Sequence, residues 1–309
     1  MYHFIINPNS RSGAGVRIWS SLYPLLDQKN IPYKTYFTEY QGHAIKLAAS
    51  VTEHAAKTNV TTLIAVGGDG TVQEILTGLK NLPFVRFGYI PTGSGNDFCR
   101  SMGLPRKPEK ALEAILHSTK TTLMDIGLIT CRETTSRFAV SCGIGFDAAV
   151  CHEISVSPVK KIFNRIHLGK LAYLLIGIKQ LLFLPPTELS IETDTEGSHF
   201  YKKVFLTAVM NQKYEGGGFP FCPNANPSDG LLDIIVVEGM SRLKLILCLL
   251  SSLFRKHTHF QGVHMIRCQN VTLRTPAALA VHKDGESAGF QTEFSVSLTD
   301  KSLQVIVPK

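Results

Sequence analysis

Thr61-Thr62-Leu63-Ile64-Ala65-Val66 runs straight into Gly67-Gly68-Asp69-Gly70-Thr71. The β-branched, apolar run reads as a buried strand, and the glycines that follow read as the loop at its carboxyl end. Three glycines around one aspartate make a costly turn, since each gives up about 1 kcal/mol of backbone entropy against alanine. The cost is reasonable where backbone must press against a nucleotide. A carboxylate there would repel phosphate unless a divalent cation stood between them, so Asp69 implies Mg²⁺. The plainer alternative makes Asp69 the cap of a helix beginning near Val72.

Outward from this stretch the pattern repeats. Strands are expected at Tyr2–Asn7, Tyr33–Thr38, Thr61–Val66 and Arg86–Pro91, with helices near Val16–Gln28, Gly42–Lys57 and Thr71–Lys80. Strand–helix alternation at this spacing predicts a parallel sheet whose ligands sit at the carboxyl ends of the strands. Two more loops there suit phosphate. Asn7-Pro8-Asn9-Ser10-Arg11-Ser12-Gly13-Ala14-Gly15 follows the first strand, and Pro91-Thr92-Gly93-Ser94-Gly95-Asn96-Asp97-Phe98 follows the fourth. The first matches neither a Walker loop nor G-x-G-x-x-G, and alone it is an ordinary strand-to-helix turn. Three such loops on successive strands make a site.

Beyond about Leu123 the texture becomes mainly β. Strand-like runs recur at Arg137–Cys142, Glu188–Thr193, Val204–Asn211, Leu231–Val237, Val271–Arg274, Phe294–Leu298 and Leu303–Val307. Two greasy segments with flanking cations interrupt them. Lys160–Leu184 carries Lys160, Lys161, Arg165, Lys170 and Lys179, and Ser241–His259 carries Arg242, Lys244, Arg255 and Lys256. Neither reaches the roughly 20 apolar residues that span a bilayer.

The chain has 309 residues, a net charge of +8 and 44% apolar residues. That allows two globular domains, and the charge either serves simple colloidal solubility or calls for an acidic partner: nucleic acid, an anionic bilayer or a nucleotide. Nucleic acid is the weakest of these, for want of any zinc-finger, RNP or helix-turn-helix pattern. Seven scattered cysteines without a C-x-x-C pair argue against disulfides and zinc, and so for a reducing cytosol. The opening Met1–Pro8 is no signal peptide.

The order Asn7-Pro8 with trailing glycines, Gly67-Gly68-Asp69-Gly70-Thr71, then Gly93-x-x-Asn96-Asp97-Phe98 resembles the diacylglycerol kinase catalytic domain. That domain is shared by bacterial soluble lipid kinases and by sphingosine and ceramide kinases. The resemblance continues through Gly143-Ile144-Gly145-Phe146-Asp147-Ala148, Gly216-Gly217-Gly218, Pro223, Ala225, Ser228-Asp229-Gly230, Asp233 and Asp284-Gly285-Glu286. It implies an N-terminal Rossmann-like α/β domain (1–128) completed by a late strand at 302–308. A β-rich, sandwich-like domain (129–301) would bind lipid, with the active site between the two.

By match, ATP contacts fall on Asn7, Pro8, Ser10, Gly13, Thr38, Gly67, Gly68, Asp69, Gly70, Thr71, Glu74, Gly93, Ser94 and Asn96. Asp69 and Asp97 would hold the ATP-bound Mg²⁺ through water. A structural Mg²⁺ would use Asp229 with backbone oxygens near Asn226 and Leu231. Asp284-Gly285-Glu286 would bear the base, with Asp284 favoured and Glu286 supporting or sharing the role. Read without the upstream loops, Asp284-Gly285 is an ordinary hairpin turn. Many bacterial members carry Thr where Ser94 stands, so the lipid is left open: diacylglycerol, a sphingoid base and undecaprenol all present a hydroxyl.

The implied protein is a cytoplasmic lipid kinase working peripherally on an anionic membrane, without a transmembrane segment. The greasy basic segments are its candidate contacts, and exposed edge strands leave a homodimer open. The alternatives are a kinase of a soluble metabolite, like NAD kinase, and a non-catalytic lipid- or nucleotide-binding regulator on the same scaffold.

Overall fold

The computed structural model describes residues 1–156 and 169–308. Lys160, Lys161 and Arg165 lie outside the described residues. In chain order the first elements are β1 (Tyr2–Ile6), α1 (Ser10–Gln28), β2 (Tyr33–Phe37), α2 (His43–Thr52), β3 (Thr61–Gly67), α3 (Asp69–Gly78), β4 (Val85–Pro91), α4 (Asp97–Ser101), α5 (Pro108–His117) and β5 (Thr121–Met124). There follow β6 (Gly127–Cys131), β7 (Thr134–Phe138), β8 (Ser141–Gly145), α6 (Phe146–Val156), α7 (Gly169–Phe183), β9 (Thr187–Thr193), β10 (Gly197–Met210), β11 (Leu232–Glu238) and α8 (Arg242–Ser252). The last are β12 (Val263–Cys268), β13 (Val271–Lys283), β14 (Glu286–Leu298) and β15 (Leu303–Ile306).

The chain forms two units. The first comprises Met1–Ile126, Pro227–Asp229 and Thr299–Lys309. Its six-stranded sheet has the order β2-β1-β3-β4-β15-β5, with only β5 antiparallel to its neighbour. The chain winds outward from β1 in both directions, so the loops after β1 and β3 diverge at the point where such sheets open a ligand crevice. Phe4, Ile6, Ile64, Val66 and Ile90 pack on Trp19, Leu22 and Leu26 of α1 and on Leu112 and Ile115 of α5. Trp19 is thus a core residue.

Two helices begin earlier than expected. α1 starts at Ser10 rather than Val16, because the Asn7 side chain and carbonyl accept from the Asn9 and Ser10 N–H groups and turn the chain at once. α3 starts at Asp69, whose first turn closes on the Gly68 carbonyl.

The second unit, Gly127–Asn226 and Gly230–Leu298, is a nine-stranded antiparallel sheet of order β12-β11-β10-β8-β13-β14-β6-β7. β10 and β13 are long, and along one edge each pairs with β9 at one end and β8 at the other, with β11 and β14 respectively on the opposite edge. Register shifts at Val204/Leu206 and Arg274/Leu279 bend them between those partners. The fold class is that expected: an α/β domain followed by a β-rich one. The expected Arg137–Cys142 strand is instead the end of β7 and the start of β8. β5, β6 and β12 were not anticipated, and β13 and β14 extend well beyond the expected runs. No helix among the described residues is long and apolar enough to cross a membrane.

Candidate active site

The three loops of the first sheet are stitched together by side chains. Asn7 Nδ2 donates to Thr71 Oγ1 at 3.0 Å, and the Ser10 and Thr92 hydroxyls bond at 2.6 Å. Asp69 accepts from the Asp97 N–H at 3.1 Å and the Phe98 N–H at 3.2 Å, so one carboxylate anchors the start of α4. The Tyr89 hydroxyl points at the Gly67 carbonyl and at Asn96 Oδ1, each 3.1 Å away.

What the stitches leave accessible is glycine backbone. A Cβ on Gly93 would stand 2.8 Å from the Gly68 Cα, so the second and third loops touch only because both lack side chains. A Cβ on Gly95 would lie 3.4 Å from Asp69 Oδ2 and 3.8 Å from Asp97 Oδ2. The two carboxylates therefore flank the same small space. That donor set suits a hydrated Mg²⁺.

Several of the expected ATP contacts also hold the scaffold together. Ser10 and Thr71 are buried, their hydroxyls engaged in the stitches. Glu74 accepts from the Gly42 and Ala44 N–H groups and holds the start of α2. Thr38 is buried at the end of β2, its N–H on the Ile6 carbonyl. Ser94 is exposed on the third loop, and Gly13 adopts a left-handed φ of 87° with open space at its Cβ position. Pro8, Gly70 and the Gly67–Gly68 backbone lie within the stitched loops.

In the second unit Asp284-Gly285 is a two-residue hairpin turn joining β13 to β14, with φ of 47° and 79°. The Asp284 carboxylate is buried and accepts three backbone N–H groups: Ala139 at 2.7 Å, Val140 at 2.8 Å and Ser141 at 3.1 Å. Burial pushes its pKa up and the three amides and His282 pull it back, leaving about 6. Glu286, two residues on, is exposed. The hairpin reading and the functional one thus fall on the same residues.

Residues 1–129 match the diacylglycerol kinase catalytic domain, and residues 141–307 match the YegS C-terminal NAD kinase beta sandwich-like domain. YtlR of Bacillus subtilis, which carries the provisional name of a lipid kinase, is 30% identical over 98% of each chain. A diacylglycerol kinase of the same organism is 27% identical over 99% of this chain and 95% of its own. A Bacillus anthracis crystal structure, titled provisionally as a diacylglycerol kinase, superposes with a TM-score of 0.78 at 23% identity, covering 99% of this chain and 94% of that one. The chain belongs to the diacylglycerol kinase family. It is a phosphotransferase of the lipid-kinase type.

The residues expected to hold a structural magnesium lie in one short segment of the chain. Asp229 and Asn226 are exposed, and the Asp229 segment is tied down by the Asp125 N–H on the Pro227 carbonyl at 2.6 Å and by the Ser228 hydroxyl on the Leu123 carbonyl. Sequence reasoning also passed over a buried cluster. His282 Nε2 lies 2.7 Å from Asp147 Oδ2 and 3.0 Å from Glu215 Oε1, with all three side chains nearly inaccessible. Burial alone would depress the imidazole pKa, but the Glu215 and Asp147 carboxylates outweigh it and raise it to about 9. Along the chain 68 positions separate Asp147 from Glu215 and 67 separate Glu215 from His282, so only the fold reveals the cluster.

Proposed function

We propose that this lipid kinase moves the γ-phosphate of ATP to a hydroxyl of a membrane-resident lipid such as diacylglycerol, giving phosphatidate. The observation that carries the reading is the stitched trio of loops: glycine backbone for phosphates, with Asp69 and Asp97 facing one small space. Mg²⁺ held there through water would neutralise charge on the phosphates, which is most of what phosphoryl transfer asks of a protein. The Gly67–Gly70 and Gly93–Ser94 backbone orients the triphosphate, and the Asn7 and Ser10 stitches keep the loops in register.

The base is better placed on Glu286 than on Asp284. Asp284 spends its oxygens on three amides, and its work is to lock the turn. Glu286 is exposed and accepts the hydroxyl proton while the freed oxygen bonds phosphorus and the bond to the β-phosphate oxygen breaks, releasing ADP. Asp229 with backbone oxygens of Asn226 and Leu231 is proposed as a structural Mg²⁺ site. Peripheral action on the membrane from the cytoplasm is part of the same proposal.

The test is ATP consumption with Mg²⁺ against lipids in mixed micelles, beside NAD and sugar phosphates. Lipid-dependent turnover is expected. Turnover with a soluble acceptor alone would move the chain to the metabolite-kinase reading. ATP binding without turnover on any acceptor would favour a regulator.

A further inference from the structure

α8 buries Leu245 and Cys248 inward against Phe205, Met210 and Ile235, as a surface helix should. Its other face is apolar as well. Leu243, Leu247, Leu250 and the following Phe254 form one stripe at helical spacing, with Leu243 69% and Phe254 75% exposed. The Arg242 guanidinium donates to the Leu181 and Leu184 carbonyls, which joins the exposed Leu182 and Phe183 at the end of α7 to the same region. Proteins that stay alone in water rarely present so continuous an apolar surface.

The surrounding charge says what covers it. From Gly239 to Lys283 the sequence has no Asp or Glu, while Arg242, Lys244, Arg255 and Lys256 bracket the stripe. Lys244 donates to the Gln261 carbonyl and Arg255 to the Tyr214 hydroxyl, both neutral groups, so each keeps its charge uncompensated by these bonds. Leucines and a phenylalanine between cations are the composition of a surface that seats in the headgroup layer of an anionic bilayer.

We infer that the outer face of α8, with the end of α7, is the surface by which the enzyme docks on anionic membrane. The inference rests on the lipid-kinase reading for its purpose, but not for its test. Vesicles of phosphatidylcholine, with and without phosphatidylglycerol, are sedimented with the full chain, with Leu247→Glu/Leu250→Glu and with Arg255→Glu/Lys256→Glu. Self-association is measured in parallel, and turnover is compared on vesicle-borne and on short-chain, water-dispersed diacylglycerol. The parent should favour the anionic vesicles, and both variants should lose about tenfold or more of that partition. Turnover on the short-chain acceptor should be kept, which excludes misfolding.

Variants that sediment like the parent would overturn the inference, as would equal binding of the parent to neutral vesicles. A self-associating parent whose leucine variant falls apart with vesicle binding intact would assign the face to a second copy, also overturning it. Variant-sensitive vesicle binding without turnover of any lipid would uphold the surface while sinking the lipid-kinase reading.

Discussion

A carboxylate that already accepts three backbone N–H groups has little capacity left for a substrate proton. Asp284 and Glu286 should therefore fail differently when neutralised. Glu286→Gln should keep the parent's melting temperature and lose roughly 10²- to 10⁴-fold in kcat. Asp284→Asn turns an NH₂ toward donors at Ala139, Val140 and Ser141 and should cost about 1–3 kcal/mol of stability. Calorimetry beside initial rates separates the two, and an Asp284→Asn variant of full stability and no activity would return the base role to Asp284. His282 makes a second prediction. Its folded pKa, about 9 against 6.5 unfolded, means its contribution is fully present below pH 6.5. That contribution fades as pH rises through 9, by up to about 3 kcal/mol. Melting of the second unit should therefore weaken between pH 7 and 9.5, and His282→Gln should flatten that slope from a lower starting point.

Glycine-rich loops work here because two of them touch backbone to backbone. In Gly93→Ala the new methyl would meet the Gly68 Cα and Asn96 Oδ1 at 2.8 Å each. Forcing the second and third loops apart should cost about 1–3 kcal/mol and raise the KM for ATP more than it lowers kcat. A variant with unchanged KM would show that the phosphates do not rest on this contact. The same loops explain what could be read in advance. Buried parallel strands such as Leu63–Val66, ended by glycines, announce themselves, and so does the carboxylate at each helix start. The start of α1 was hidden because Gly13 and Gly15 read as loop, although the Asn7 side chain had already begun the helix. β13 was cut short at Arg274 because Pro276 and the register shift there break the alternation that marks a strand. Asp147, Glu215 and His282 were out of reach because each sits on a different element, and one sequence carries no record of which elements meet.

The first unit is assembled from distant parts of the chain. β15 is inserted between β4 and β5, burying Leu303, Val305 and Ile306, and Ser118 donates to the Val307 carbonyl at 2.6 Å. Ending the chain after Leu298 should therefore abolish ATP binding and expose the apolar edge of β4, while the antiparallel sheet keeps all nine of its strands. Nucleotide binding followed by fluorescence, beside circular dichroism, checks this; a truncated chain that still bound ATP normally would show β15 to be dispensable. The position of β15 also bears on synthesis. A chain leaving the ribosome makes all three glycine-bearing loops early, yet the sheet beneath them stays open until everything from Gly127 to Leu298 has been translated. Premature termination anywhere in that span yields an unclosed sheet, a substrate for chaperones and proteases rather than a stray kinase consuming ATP.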